Sequence, residues 1–504
     1  MSDPSVAPSG VVLPADLSEI DGVLFVDGRL VAPASGKVIA LTEPASGRPL
    51  LSAAVGSPQD VDRAVAAAST AMAGRWGRTS ATARGRLLHA LADAVERELP
   101  ALAELEARNV GKAIAAVSAE IAATIETFRY YASVAGAIGG RANPIGGSVQ
   151  FHTARQPVGV AGQIIPWNFP FMLAGWKLAP ALAAGCAVVL KVDQLTPATA
   201  LRLALLCREV GIPDGVVNVV PGDGPVTGAH LVAHTDVAKI SFTGSTRTGV
   251  AVAQSAAETM KRVTLELGGK SPNLVFADAD LDAAVPSSVW AVFNSAGQSC
   301  EARSRLLVER PIYDAFLERF LAATKALRVG DPLDPATQVG SLISRAHRDR
   351  VHGMIERAAQ AGARVACGGA VPPGEGAFYP PTVICDAGDG SEIAREEVFG
   401  PLVTIAPFVD EAEAVARAND TRYGLMATVW TGDPARGQRV ARLLDAGTVG
   451  VNTAYSSFPG VPYGGFKESG IGREVGVEAL DAYLETKSVV VWTGARPSLP
   501  PSAG

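Results

Sequence analysis

From residue 159 onward the chain alternates short β-branched runs with longer stretches whose apolar residues recur at helical spacing. The runs fall at 160–165, 187–192, 216–220, 238–242 and 263–267, and the helical stretches between them at 171–184, 197–210, 225–234 and 245–260. Strands alternating with helices in this way predict a parallel sheet wound by crossover helices, in outline a nucleotide-binding architecture. Upstream, 61–97 and 101–134 are rich in Ala and Leu with charges at helical spacing, which predicts two or three amphipathic helices. Beyond Gly268 a second series begins, with strand-like runs at 273–276, 304–308, 403–408 and 449–451, and predicts a further α/β domain. The Gly268–Gly269 pair between the two series is a candidate hinge. Residues 1–20 and 494–504 are rich in Pro, Ser, Ala and Gly without periodicity and read as loose tails.

Composition narrows the class. In 504 residues, 48% hydrophobic and 19% charged positions suffice to bury a core and exclude a disordered or fibrous chain. The apolar run 178–190 is interrupted by Pro180 and Gly185 and is shorter than the roughly 20 residues a membrane span needs, so no span is expected. The start has no basic stretch leading into an apolar one, so a cytosolic protein is the expectation. A net charge of −6 with both signs mixed gives no basic stripe for nucleic acid. The five cysteines, Cys186, Cys207, Cys300, Cys367 and Cys385, are too sparse for a disulfide framework and none forms a CxxC pair, so no metal site is expected.

Four segments carry candidate chemistry. ISFTGSTRTG (240–249) reads as a strand, a small-residue turn at Gly244 and Ser245, and a helix start, where free N–H groups and the helix dipole suit a phosphate. An ordinary turn with an N-cap serine reads equally well there. Gly222, Gly224 and Gly228 follow another strand and suit either a positive-φ loop or a close approach to a cofactor. Cys300 ends FNSAGQSC, a polar small-residue turn, unlike the other four cysteines, whose aliphatic neighbours fit buried packing. An accessible thiol in such a turn suits a nucleophile, and Glu266, at the end of an apolar strand, is a candidate base whose pKa burial would raise. Its alternative is a salt bridge with Lys270 or Arg262. Asn168, between Pro166 and Pro170, suits either an oxyanion donor or a turn asparagine. His230 and His234 are four apart, but nothing supplies a third metal ligand, so they read as solvent-facing.

IIPWNFP, FTGSTRTG, LELGGKSPN, GQSC, EEVFGP and YGGFKESGIGRE occur in the order of the aldehyde dehydrogenase superfamily, which the chain resembles from about Leu24 to about Val491. The resemblance implies an α/β fold: a Rossmann-like cofactor domain (21–139 and 158–267), an α/β catalytic domain (268–463), and a small β oligomerisation element (140–157 and 485–493) that makes a homodimer or homotetramer. It implies that Cys300 attacks an aldehyde to give a thiohemiacetal, with the oxyanion held by the Asn168 amide and the Cys300 N–H. Hydride passes to NAD, with NADP the alternative cofactor, and Glu266 activates the water that hydrolyses the thioester. Lys177 and Glu474 match a pair linked to proton relay. Cofactor positions implied by resemblance are Ile164, Pro166, Trp167, Lys191, Gln194, Gly224, Phe242, Gly244, Ser245, Leu267, Glu397 and Phe399. Substrate positions are Phe169, Leu173, Trp176, Tyr455 and Phe458.

Two departures from the family pattern stand out. Neutral Gln194 replaces a glutamate that holds the adenosine ribose, which weakens strict NAD preference unless Asp193 takes over. Glu301 beside Cys300 could raise the thiol pKa, favour a cationic substrate or point away from the site; pointing away is the expectation. A CoA-acylating semialdehyde dehydrogenase is the runner-up within enzymes, and Glu266 argues against it, because those relatives generally lack that base. A catalytically retired homologue serving as a binding protein is the other alternative, and the presence of both Cys300 and Asn168 argues against it.

Overall fold

The computed structural model describes residues 17–146, 148–455 and 458–494, with side chains 144–147 excepted. Five strands, Val217–Gly222, Ala187–Asp193, Val160–Ile164, Val237–Thr243 and Arg262–Glu266, lie side by side and parallel in that spatial order. The antiparallel pair Leu24–Val26 and Arg29–Val31 extends one edge, and the two-residue strand Gly470–Ile471 closes the other beside Glu266. Successive residues face opposite layers: Val188, Leu190 and Val192 enter one apolar cluster, whereas Ala187 and Val189 enter another. A parallel sheet covered on both faces needs such uninterrupted apolar strands.

The helices on one face are Ala81–Val110, Ile114–Ala135, Pro170–Ala184 and Ala198–Glu209. Pro170–Ala184 begins with Pro at its first turn, ends at Gly185 in the left-handed region (φ 96°), and buries every residue except Met172. A helix apolar all round belongs at the centre of a fold, so Lys177 within it must find polar partners in the interior. The stretch expected as one helix at 225–234 divides into a single wide turn, Gly224–Gly228, and a short helix, Ala229–Ala233. The Asp223 carboxylate accepts from the Val226 and Thr227 N–H groups and starts that turn. Gly222, Gly224 and Gly228 all keep negative φ, contrary to the positive-φ reading.

The second sheet has seven strands in the order Arg364–Cys367, Thr382–Cys385, Leu402–Phe408, Arg305–Glu309, Pro272–Val275, Met426–Trp430 and Thr448–Val451, parallel except for the first. A third, antiparallel sheet joins Leu484–Trp492 to Val149–Pro157 and Ala142–Gly146. Leu17–Ile20, inside the expected N-terminal tail, forms a 3₁₀ turn that buries Ile20; the rest of that tail and residues 495–504 lie outside the described residues. No helix among the described residues is long and apolar enough to cross a membrane.

Candidate active site

A cavity of about 1790 Å³ opens where the loops after Val160–Ile164, Val237–Thr243 and Arg262–Glu266 face the loops of the second sheet. That is more than the roughly 300–1,000 Å³ of an ordinary ligand pocket, so a large cofactor and a substrate fit together. Cys300, Glu266, Asn168 and Glu474 all line it. Lys177 lies behind, fully buried, paired with the Glu474 carboxylate and 3.0 Å from Ser241 Oγ, which in turn donates to Glu474 at 2.7 Å.

The loop carrying Cys300 is held in an unusual backbone. Ser295 (φ 53°), Ala296 (φ 53°) and Gly297 (φ 69°) are three consecutive left-handed residues, and a Cβ on Gly297 would overlap the Gly400 carbonyl. Gln298 clamps the turn: its Nε2 donates to Ser295 O (3.2 Å), its Oε1 accepts from Ile343 N (2.9 Å), and its carbonyl accepts from Asn168 Nδ2 (2.9 Å). Asn168 therefore sits against the Cys300 loop with one amide N–H still uncommitted. The thiol is only partly buried by surface exposure, but its enclosed surroundings push it up to about 12, with Glu301, Glu397 and Glu266 adding to the rise.

Glu266 is buried, and neither of its carboxylate oxygens has a partner among the described residues. The salt-bridge alternative does not hold: Arg262 pairs with Glu485, and Lys270 donates to Ile393 O. Burial, reinforced by Glu474 and opposed by Lys177 and Arg473, holds the Glu266 carboxyl well above the ordinary range. Glu301 does not point away. It lines the cavity, with one oxygen 3.7 Å from Arg303 and the other buried without a hydrogen bond.

Among the cofactor candidates, Pro166, Trp167, Gly244, Ser245, Leu267, Glu397 and Phe399 line the cavity. Ser245 caps the helix Thr246–Ala257 by accepting from Thr248 N, and Glu397 accepts from Gly269 N at 3.2 Å. Burial pushes Glu397 up to about 7. Ile164, Phe242 and Lys191 stand in one register row across the sheet, while Gln194 and Gly224 follow the ends of the neighbouring strands, beyond the cavity wall. Asp193 caps its own turn, accepting from Leu195 N at 2.9 Å. Phe169, Leu173, Trp176, Tyr455 and Phe458 line the same cavity. His230 and His234 are not simply solvent-facing, since both approach Asp62, at 2.6 and 3.6 Å. No group of three or more metal-ligating side chains occurs among the described residues.

His347, Arg350 and Tyr463 also line the cavity, and the sequence did not single them out. His347 and Arg350 come from the helix Arg345–Gln360. The His347 ring meets Trp167 edge-on, its Nε2 lies 2.7 Å from Phe399 O, and burial lowers its pKa to about 4, which keeps it neutral. Tyr463 stands at the head of YGGFKESGIGRE, with its hydroxyl 3.5 Å from Cys300 Sγ. The motif had drawn attention to the segment without distinguishing that side chain.

The sequence profile of the aldehyde dehydrogenase family matches residues 30–489. The chain belongs to the aldehyde dehydrogenase family. It is 44% identical over 473 residues to mitochondrial aldehyde dehydrogenase of Homo sapiens, covering 93% of this chain and 91% of that one. Its structure matches the NAD+ complex of an aldehyde dehydrogenase from Bacillus cereus with a TM-score of 0.92 at 41% identity, over 94% of this chain and 97% of that one. A putative aldehyde dehydrogenase from Burkholderia cenocepacia matches at 0.93 and 43%, over 96% and 99%. This aldehyde dehydrogenase is thus an NAD(P)-dependent oxidoreductase acting on an aldehyde. The cytosolic expectation is overturned: relatives from Mesocricetus auratus, Rattus norvegicus, Homo sapiens and Sus scrofa all bear the name mitochondrial aldehyde dehydrogenase, which points away from the cytosol.

Proposed function

We propose that this enzyme oxidises its aldehyde to a carboxylic acid by covalent catalysis at Cys300 followed by hydrolysis, and that two groups facing one cavity carry the reading. These are the thiol of Cys300 and the unpaired carboxylate of Glu266. The cavity fits a dinucleotide: it is larger than an ordinary small-ligand pocket, and the helix N-terminus at Ser245 on its wall offers N–H groups to phosphate. Gly244, Ser245, Trp167, Lys191, Glu397 and Phe399 would hold it, and the bound NAD(P)+ would supply the hydride acceptor. Cys300 gives up its thiol proton to water, and its sulfur forms the C–S bond to the aldehyde carbon as the C=O π bond opens onto oxygen. The free Asn168 N–H and the Cys300 backbone N–H then hold the oxyanion. After oxidation Cys300 carries a thioester, and Glu266, its basicity raised by burial, takes a proton from the attacking water as the C–S bond breaks. Lys177 and Glu474 fix the base's surroundings by charge. Glu266 favours water over CoA as acyl acceptor.

Phe169, Leu173, Trp176, Tyr455 and Phe458 give the aldehyde an aromatic and aliphatic channel. With Gln194 neutral and one Asp193 oxygen engaged by Leu195 N–H, the turn opposes a 2′-phosphate less than one carrying a second carboxylate, so NADP is accepted beside NAD. The outer strand Leu484–Trp492 exposes Val490 and Trp492 at the edge of the third sheet and supports assembly of a homodimer or homotetramer through that edge. NAD(P)H formation over a panel of aldehydes, with NAD and NADP in parallel, tests the reading. Cys300→Ala is expected to abolish turnover while cofactor binding, followed by calorimetry, persists; residual turnover would remove Cys300 from the mechanism.

A further inference from the structure

Tyr463 is 6% exposed and meets Trp176 edge-on, with ring centroids 5.1 Å apart. Its backbone is tied in both directions to Glu474: Tyr463 N–H donates to Glu474 O and Glu474 N–H to Tyr463 O, each at 2.7 Å. Glu474 is anchored in turn by Lys177 and Ser241. The phenol is thus fixed by a buried polar cluster behind it and an indole beside it. Its hydroxyl meets one described partner, Cys300 Sγ, at 3.5 Å.

That contact bears on a specific difficulty. Cysteine nucleophiles are commonly activated by a neighbouring cation or a helix N-terminus. Around Cys300 the charged groups that act on the sulfur are Glu301, Glu397 and Glu266, and all three oppose a thiolate. The Tyr463 hydroxyl is the group that favours it. Burial, with Cys300, Glu301 and Glu266 adding, holds the Tyr463 phenol well above its ordinary value, so it stays an O–H donor at every working pH. Either atom can donate while Cys300 is a thiol. Once the thiolate forms, only the phenol can.

We propose that Tyr463 is a further catalytic residue, its hydroxyl donating to the Cys300 sulfur and stabilising the thiolate that attacks the aldehyde. The proposal rests on Cys300 being the nucleophile. Lys177, Glu474 and Trp176 then act as positioning residues for the phenol, in addition to any effect on Glu266.

Tyr463→Phe keeps the ring and removes the hydroxyl. The test is the pH dependence of Cys300 alkylation by iodoacetamide in the cofactor-free enzyme, with Cys300→Ala giving the background from the other four cysteines. Losing one hydrogen bond to an ion should slow alkylation at neutral pH about tenfold and move its midpoint up by about one pH unit. The NADH burst should slow by a similar factor, with the KM for NAD unchanged. Tyr463→3-fluorotyrosine, a more acidic donor, should move the midpoint the opposite way, a sign that loss of packing would not produce. Alkylation profiles and burst rates of both variants that superimpose on the unmodified enzyme would overturn the role of Tyr463. Full turnover by enzyme alkylated at Cys300 would instead sink the nucleophile reading on which it rests.

Discussion

The two walls of the cavity are built by opposite means. On the cofactor wall, strand ends lie in even parallel register, Ser245 caps its helix in the ordinary way, and the glycines at 222, 224, 228 and 244 keep negative φ. On the thiol wall, three successive left-handed residues precede Cys300 and the cofactor candidate Phe399 is left-handed as well, while unpaired buried oxygens occur on both sides: Glu301 Oε2 beside the thiol, and Asn168 Oδ1, Thr243 Oγ1 and both Glu266 oxygens at the strand ends opposite. Each left-handed non-glycine residue costs about 1–2 kcal/mol, and an unpaired buried polar atom about 1–3. The thiol is thus presented from strained backbone that the Gln298 clamp holds in place, opposite relaxed strand ends that carry the general base.

Substitutions on either wall can break that contrast. The largest effect is expected for Glu266→Gln: an NADH burst followed by steady-state turnover reduced on the order of 10²–10⁴-fold, measured by stopped flow. Glu266 must be ionised to act, and its pKa is raised, so deacylation in the unmodified enzyme should rise with pH through a midpoint above the usual carboxylate range. In Glu266→Gln that limb should vanish; an unchanged limb would assign it to another group. Next comes a matched pair. Gly297→Ala places a Cβ against the Gly400 carbonyl at positive φ and should cost about 2–4 kcal/mol in denaturant unfolding, whereas Gly224→Ala enters open space and should stay within about 0.5. Equal losses would erase the distinction between the walls. Gln194→Glu should lower the NADP-to-NAD ratio of kcat/KM about tenfold by repelling the 2′-phosphate, with no change in Cys300 alkylation. The smallest effect belongs to Glu301→Gln, which removes a carboxylate opposing the thiolate and should speed Cys300 alkylation at neutral pH about fivefold, the scale of a partly screened charge pair.

The first sheet was legible because its strands are uninterrupted β-branched runs ended by glycine or a small-residue turn; 187–192 stops one residue short of the end of Ala187–Asp193, and 238–242 is one residue short of Val237–Thr243 at each end. In the second sheet Met426–Trp430, Arg364–Cys367 and Thr382–Cys385 escaped notice, because four or five residues of mixed character carry little periodicity. The candidate site was readable where motifs name residues by spacing. Tyr463 and His347 were not, since an aromatic in an apolar run reads as core and a histidine on an amphipathic helix reads as surface. Only tertiary contact sets one against a sulfur and the other against Trp167. The direction of Glu301 was misjudged for the same reason.

The strand Gly470–Ile471 pairs with Leu265 and Glu266, Leu267 N–H donates to Ser469 O, and Tyr131 reaches Gly476 O. The last segment of the chain therefore returns to finish the sheet that the middle began. During synthesis at about 5–20 residues per second, the strand bearing Glu266 waits on the order of 10–40 s for its neighbour to emerge from the ribosome. A nascent chain arrested short of residue 463 would hold both the thiol and the general base yet lack Tyr463 and Glu474 beside them. Activity should consequently switch on late and abruptly along an arrest series, which ties the enzyme's chemistry to emergence of this returning segment.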